Sequence, residues 1–153
     1  MNYRLVIRTL GFILFILAVC MIPSIFVSIL YGEMVCMQAF SITALLLLMA
    51  GMCLRKITAK NQSLKIREGF LIVSATWSLA SLIGAIPLVL SGAVPDIFTA
   101  IYEATSGITT TGGSAIADLE SLPMSINFWR CFMHWIGGLG VLTIAVAILP
   151  ALG

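Results

Sequence analysis

Long apolar runs separated by short polar joints set the pattern of this chain. Leu10–Leu30, Val35–Leu54, Phe70–Leu90 and Phe128–Leu149 can each cross a hydrocarbon layer of roughly 30 Å, which takes about 20 apolar residues in a helix. Arg130 stands near one end of the fourth run, where a long side chain reaches the interface. Pro23 within the first run and Pro87 near the end of the third predict kinks, which spanning helices tolerate better than soluble ones. Between the third and fourth runs the pattern changes. Pro95 suits the first turn of a helix and Asp96 complements its positive end. Ile97, Phe98, Ile101 and Tyr102 follow at helical spacing, and Gly107 is the expected stop. A helix of about eleven residues is about 16 Å long, half a bilayer. It enters the layer and must return as non-helical chain, which survives at that depth only when buried in protein or lining a water-filled cavity.

Composition agrees with a lipid environment. Of 153 residues, 61% are hydrophobic and 9% charged, against about a quarter charged in soluble domains. A soluble chain this short lacks the interior to hide so much apolar surface. The net charge of +2 and the lack of a basic run with interleaved aromatics argue against nucleic acid as a partner.

The charges also predict an orientation. Arg4 and Arg8 precede the first run, and Arg55, Lys56, Lys60, Lys65 and Arg67 lie between the second and third. Residues 91–127 carry Asp96, Glu103, Asp118 and Glu120 but no lysine or arginine. The positive-inside rule then places the N-terminus and the 55–67 joint in the cytoplasm and 91–127 outside, in a multi-pass membrane protein; the expected location is the cell (inner) membrane. The N-terminal arginines resemble the start of a secretory signal, and Leu17-Ala18-Val19-Cys20 approaches a lipoprotein cleavage site. Val19 stands where a small residue is needed, and the apolar run is too long for a signal core, so a retained spanning helix is expected.

The returning chain reads Ile108-Thr109-Thr110-Thr111-Gly112-Gly113-Ser114. A dehydrating potassium ion needs replacement oxygens, and potassium filters supply them as stacked backbone carbonyls. Such a loop is expected to run extended, with glycine providing freedom of backbone angles and an unobstructed lumen. The C-terminal dipole of the short helix adds negative potential for a cation. Thr110-Thr111-Gly112 echoes the Thr-Val-Gly of TVGYG filters. The bland alternative is an extracellular Thr- and Gly-rich turn, a poor fit between a half-membrane helix and a spanning one.

Other candidates carry less. Gly107-x4-Gly112-Gly113-Ser114 has the spacing of a nucleotide-binding P-loop, but Gly113 replaces the essential lysine. Cys20, Cys36, Cys53 and Cys131 are scattered singly and read as small buried hydrophobes; with one histidine, no zinc-type set can form. His134, that histidine, lacks a nucleophile or acid partner at a suitable spacing and reads as a packing residue. Glu103 either tunes the field at the outer pore or braces the loop backbone. Gly137, Gly138 and Gly140 make a smooth helix face for close packing or a hinge. Trp129 is the foremost candidate, with Trp77 and Trp135, for an interfacial anchor. Arg130 reads as an outer-end anchor or a carboxylate partner.

Two motifs carry a resemblance. Tyr102-Glu103-Ala104-Thr105-Ser106-Gly107-Ile108-Thr109-Thr110-Thr111-Gly112 resembles the first pore loop of the TrkH/TrkG potassium-uptake proteins of the Trk/Ktr/HKT cation transporter superfamily. Phe128-Trp129-Arg130, His134-Trp135-Ile136-Gly137-Gly138-Leu139-Gly140 and Ala147-Ile148-Leu149-Pro150 resemble the helix that follows it. The first two helices look like that family's extra N-terminal pair. The resemblance implies four helix–pore loop–helix repeats around one pseudo-fourfold pore, usually in a homodimer, with a cytosolic nucleotide-binding regulatory subunit. It also implies that Thr109, Thr110, Thr111 and Gly112 carry the selectivity filter, Gly112 being the filter glycine. Potassium would be held by the backbone of Thr110, Thr111 and Gly112, with Glu103 and Gly113 as support. Gly113-Ser114 departs from the Ala-Thr expected in many relatives.

The resulting expectation is an all-α membrane protein of four transmembrane helices plus one re-entrant pore helix and filter loop. Residues 1–60 form an N-terminal helix pair with a cytoplasmic loop, and 61–153 form the first pore repeat. No bond-making chemistry or resident cofactor is expected; potassium is the transported substrate. The chain would supply one of four pore repeats, in contact with lipid and with remaining repeats or further subunits. The alternative function is a non-conducting truncated protein that assembles with a full-length subunit. A fragment is preferred over an assembly of short copies, because the chain stops directly after Ile148-Leu149-Pro150.

Overall fold

The computed structural model describes residues 3–57 and 66–152, with side chains as far as residue 143. Among the described residues the chain is all helix and loop. In order the helices are α1 (Tyr3–Cys20), α2 (Ile22–Leu30), α3 (Met34–Arg55), α4 (Ile66–Leu90), α5 (Ile97–Ile108) and α6 (Met124–Leu152). Among the described residues, three stretches are long and apolar enough to cross a membrane: Tyr3–Leu30, Met34–Arg55 and Arg67–Leu90. The fourth expected run lies within α6, whose 29 residues would extend about 43 Å. At 12 residues, α5 reaches only about 18 Å.

The first apolar run is not one kinked helix. It breaks at Met21, and Pro23 stands in the first turn of α2, where the missing N–H is tolerated. Pro87, by contrast, stays inside α4. Pro95 lies outside α5, and Asp96 is its N-cap with extended backbone angles, its carboxylate accepting from the Thr99 N–H at 2.7 Å. The cap needs a side-chain acceptor before the first turn, which Asp96 supplies and Pro95 does not.

Helices α1 and α3 pair closely, and α5 packs between α4 and α6. The two groups meet through α2 against α6 and through α1 and α3 against α4. Small residues permit the closest approaches. Met133 of α6 fills the space between Gly84 of α4 and Gly107 of α5; a Cβ on either would meet it at 2.7 and 3.0 Å. Phe40, Leu88, Ala100, Ala104, Ile126, Trp129 and Met133 form the centre of one continuous core. Trp129 is thus not an interfacial anchor. It is buried, edge-on to Phe40, and its Nε1 donates to the Gly84 carbonyl at 3.0 Å. That partner meets the demand a buried indole N–H makes. Of the cysteines only Cys36 is buried; Cys53 and Cys131 lie on exposed faces, where apolar side chains need no burial if the solvent is lipid.

Candidate functional site

The site is the loop that leaves α5, together with the groups holding it. Helix α5 ends in a pair of backbone bonds, from Thr110 N–H to the Gly107 carbonyl at 3.0 Å and from Thr111 N–H to the Ser106 carbonyl at 2.9 Å. This is the Schellman arrangement, whose left-handed position normally falls to glycine. Here Thr110 takes it, with φ of 59°. A β-branched residue in that region is strained, at a cost of about 1–2 kcal/mol. Gly107, the expected stop, instead lies inside the helix, where its missing side chain admits Met133.

Nor is the loop uniformly extended. Thr109 is right-handed (φ −84°, ψ −1°), Thr110 left-handed, and Gly112 left-handed again at φ 78°. Glycine adopts that last angle without penalty. The hydroxyls of Thr109 and Thr111 lie 2.8 Å apart, and Thr109 Oγ1 also donates to the Thr105 carbonyl at 2.7 Å. Thr109, Thr110, Thr111 and Gly112 are all exposed.

Two side chains on α5 grip the loop beyond Gly112. Ser106 Oγ donates to the Gly113 carbonyl at 2.6 Å. Glu103 Oε1 accepts from the Ala115 N–H at 2.7 Å and the Ser114 hydroxyl at 2.8 Å. The other carboxylate oxygen, Oε2, meets Arg130 Nε at 2.8 Å and forms an ion pair with its Nη2 at 2.6 Å. The Glu103 side chain is fully buried and that of Arg130 is 12% exposed. A buried carboxylate needs a counter-ion and donors for its remaining lone pairs, and this one has both. Gly113 is crowded by Tyr102, whose hydroxyl would lie 2.7 Å from a Cβ there.

Behind the loop, α6 is nearly in contact with the end of α5. A Cβ on Gly137 would lie 2.0 Å from the Ile108 carbonyl oxygen, and one on Gly140 3.3 Å from the Trp77 ring. Gly138 has room, with only the Thr110 methyl at 4.0 Å. His134 Nδ1 lies 2.9 Å from the Arg130 carbonyl, and its Nε2 faces Gly112, 4.0 Å from where a Cβ would stand.

The arrangement thus unites Glu103, Arg130, Gly113 and the Thr-Gly loop, and adds Ser106, which sequence reasoning did not single out. Its signal was weak: a serine one residue before a helical glycine has no distinctive pattern. Glu33 was passed over too. From the α2–α3 joint its carboxylate accepts from the N–H groups of Met124 and Ser125 at 2.6 and 3.0 Å, and from the Ser125 hydroxyl, capping the start of α6.

A short capped helix and a tethered loop, held between two long helices of a multi-pass all-α chain, define a membrane protein built around a loop motif. Residues 32–153 match the family described as "TrkH: Cation transport protein", and the chain belongs to that family of cation transporters. It is 38% identical over its whole length to the Trk system potassium uptake protein TrkH of Halomonas elongata, and 37% identical to the protein of that name from Escherichia coli K12. It spans 32% of the length of each. The crystal structure of the potassium transporter TrkH from Vibrio parahaemolyticus superposes with a TM-score of 0.89 at 36% identity, over 98% of this chain and 32% of that one.

Proposed function

We propose that this chain supplies one of four walls of a potassium-conducting pore, with the backbone carbonyls of Thr110, Thr111 and Gly112 as ion ligands and Thr109 at the cavity end. The observation that carries this reading is the loop itself: exposed, alternating in handedness, and tied down at Gly113, Ser114 and Ala115 by Ser106 and Glu103. A dehydrating cation requires replacement oxygens, which potassium filters supply from exposed backbone carbonyls. Glu103 and Gly113 support the loop, and Glu103 does so through hydrogen bonds more than through its field, since Arg130 neutralises it. The close pairing of α1 with α3, and of α5 with α4 and α6, supports a division into an N-terminal pair (1–60) and one pore repeat (61–153). Charge asymmetry supports a cytoplasmic N-terminus, and the potassium-uptake function in the names of the similar proteins supports a place in the cell (inner) membrane. Potassium as cargo is supported by the function that the names of the similar proteins give.

One wall cannot enclose an ion. Conduction therefore draws on three further walls, from a longer polypeptide or from further copies, and the homodimer and cytosolic nucleotide-binding subunit belong to that larger assembly. The second reading, a non-conducting partner of a full-length subunit, rests on the same fact of a single loop. Expression in cells lacking potassium uptake, grown at low potassium, separates the two. Rescue that Gly112→Phe abolishes supports the pore. Normal membrane insertion without rescue supports either the partner reading or a wall whose companions lie in a longer polypeptide.

A further inference from the structure

Near the Arg8 and Arg55 ends of α1 and α3, the two helices flank a cleft of about 320 Å³ lined by Leu5, Arg8, Thr9, Phe12 and Arg55. Its frame is rigid. Gly11 and Gly51 bring the two backbones together so closely that a Cβ on Gly51 would lie 2.8 Å from the Gly11 carbonyl oxygen. One on Gly11 would lie 3.2 Å from the Arg55 nitrogen. This crossing fixes where Arg55 leaves the end of α3. Its guanidinium then rests over the rings of Phe12 and Phe15, 5.7 and 5.9 Å from their centroids, a cation–π geometry. The stack orients the planar group and limits its rotamers. Among the described residues neither Arg8 nor Arg55 is paired with a carboxylate. The Thr9 hydroxyl donates to the Leu5 carbonyl at 2.9 Å, which leaves the two guanidinium groups as the polar donors of the cleft.

We infer that this cleft binds the phosphate headgroup of an anionic phospholipid, taken from the leaflet at the Arg8–Arg55 end. Both helices are long and apolar enough to cross a membrane, and the cleft lies at their arginine-bearing ends, the level that headgroup phosphates occupy around a spanning helix. Guanidinium forks match phosphate oxygens in geometry as well as charge. Phe12, half exposed, offers an apolar surface along which an acyl chain can descend. Basic pockets between spanning helices are the usual form of such recognition. The inference is independent of ion conduction by the loop.

The test is native mass spectrometry and lipid titration of the purified protein in mild detergent, with phosphatidylglycerol as probe and phosphatidylcholine as control. Phosphatidylglycerol should be retained in preference, and Arg8→Gln/Arg55→Gln should weaken it about tenfold or more. Arg8→Gln alone, at an exposed residue outside the ring stack, should weaken it several-fold while leaving the thermal midpoint unchanged. Arg67→Gln, the same charge change on exposed surface outside the cleft, should retain wild-type binding. Equal retention by the double variant, or equal loss in Arg67→Gln, overturns the site. Displacement of the lipid by millimolar inorganic phosphate shows a free-anion site and overturns the lipid assignment.

Discussion

Gly137 in α6 lies against the carbonyl oxygen of Ile108, the last residue of α5, so closely that a Cβ there would sit 2.0 Å away. The carbonyl belongs to a helix end and cannot swing aside like a flexible side chain. Gly137→Ala should therefore force α6 from the loop and destabilise the protein by about 1–3 kcal/mol, as overpacking does. Gly138→Ala, with 4.0 Å of clearance, should be near neutral. Thermal midpoints of the two variants in detergent give the comparison, and equal midpoints would contradict the packing.

The buried pair of Glu103 and Arg130 makes a second prediction. Glu103→Ala strands the guanidinium and removes the acceptor for Ser114 and Ala115, at a cost of about 3–5 kcal/mol. A double variant, Glu103→Leu with Arg130→Met, should recover part of that loss, because no buried charge is left alone. If the double variant unfolds as readily as Glu103→Ala, the stranded charge is not the source of the damage.

Thr110 holds a left-handed angle at which its branched side chain is strained. Replacing it with glycine should raise stability by about 1 kcal/mol, while Thr110→Val, still branched, should give no such gain. Potassium uptake should fall in Thr110→Gly if the strained angle aims the carbonyl. A thermal midpoint no higher than that of Thr110→Val would remove the strain argument.

Asp96 gives a pH dependence. Hydrogen bonds from the Thr99 hydroxyl and then its N–H hold the carboxyl below its ordinary value of 3.8. A carboxylate whose folded value is depressed adds stability above the unfolded value and loses it as pH falls through the folded one. Asp96→Ala should thus be less stable than wild type at neutral pH, and the gap should narrow below pH 3.8. A gap independent of pH would show that the cap does not act through the ionised form.

Much of the architecture could be read from one dimension. Apolar runs of spanning length are a property of composition and order, because every backbone polar group in lipid must be satisfied within its own helix. The short amphipathic helix and the Thr-Gly loop were likewise marked by local spacing. Local rules misled where a residue had two uses. Gly107 reads as a stop, yet it is spent on admitting Met133, and Thr110 takes the turn instead. Trp129 reads as an anchor because tryptophan favours interfaces, but the Gly84 carbonyl gives its N–H a buried partner.

By itself, then, the sequence determined which segments are helices, which are long enough to span, and where the chain must break helix between two spans. Those are consequences of period, length and hydropathy. Only the tertiary structure decided what holds that break in shape. Ser106 and Glu103 on α5, Arg130 on α6, and Glu33 of the α2–α3 joint, which caps the start of α6, act across separations of 7 to 92 residues. Such contacts exist only once close-packed helices exclude other donors and acceptors, and no local pattern encodes them.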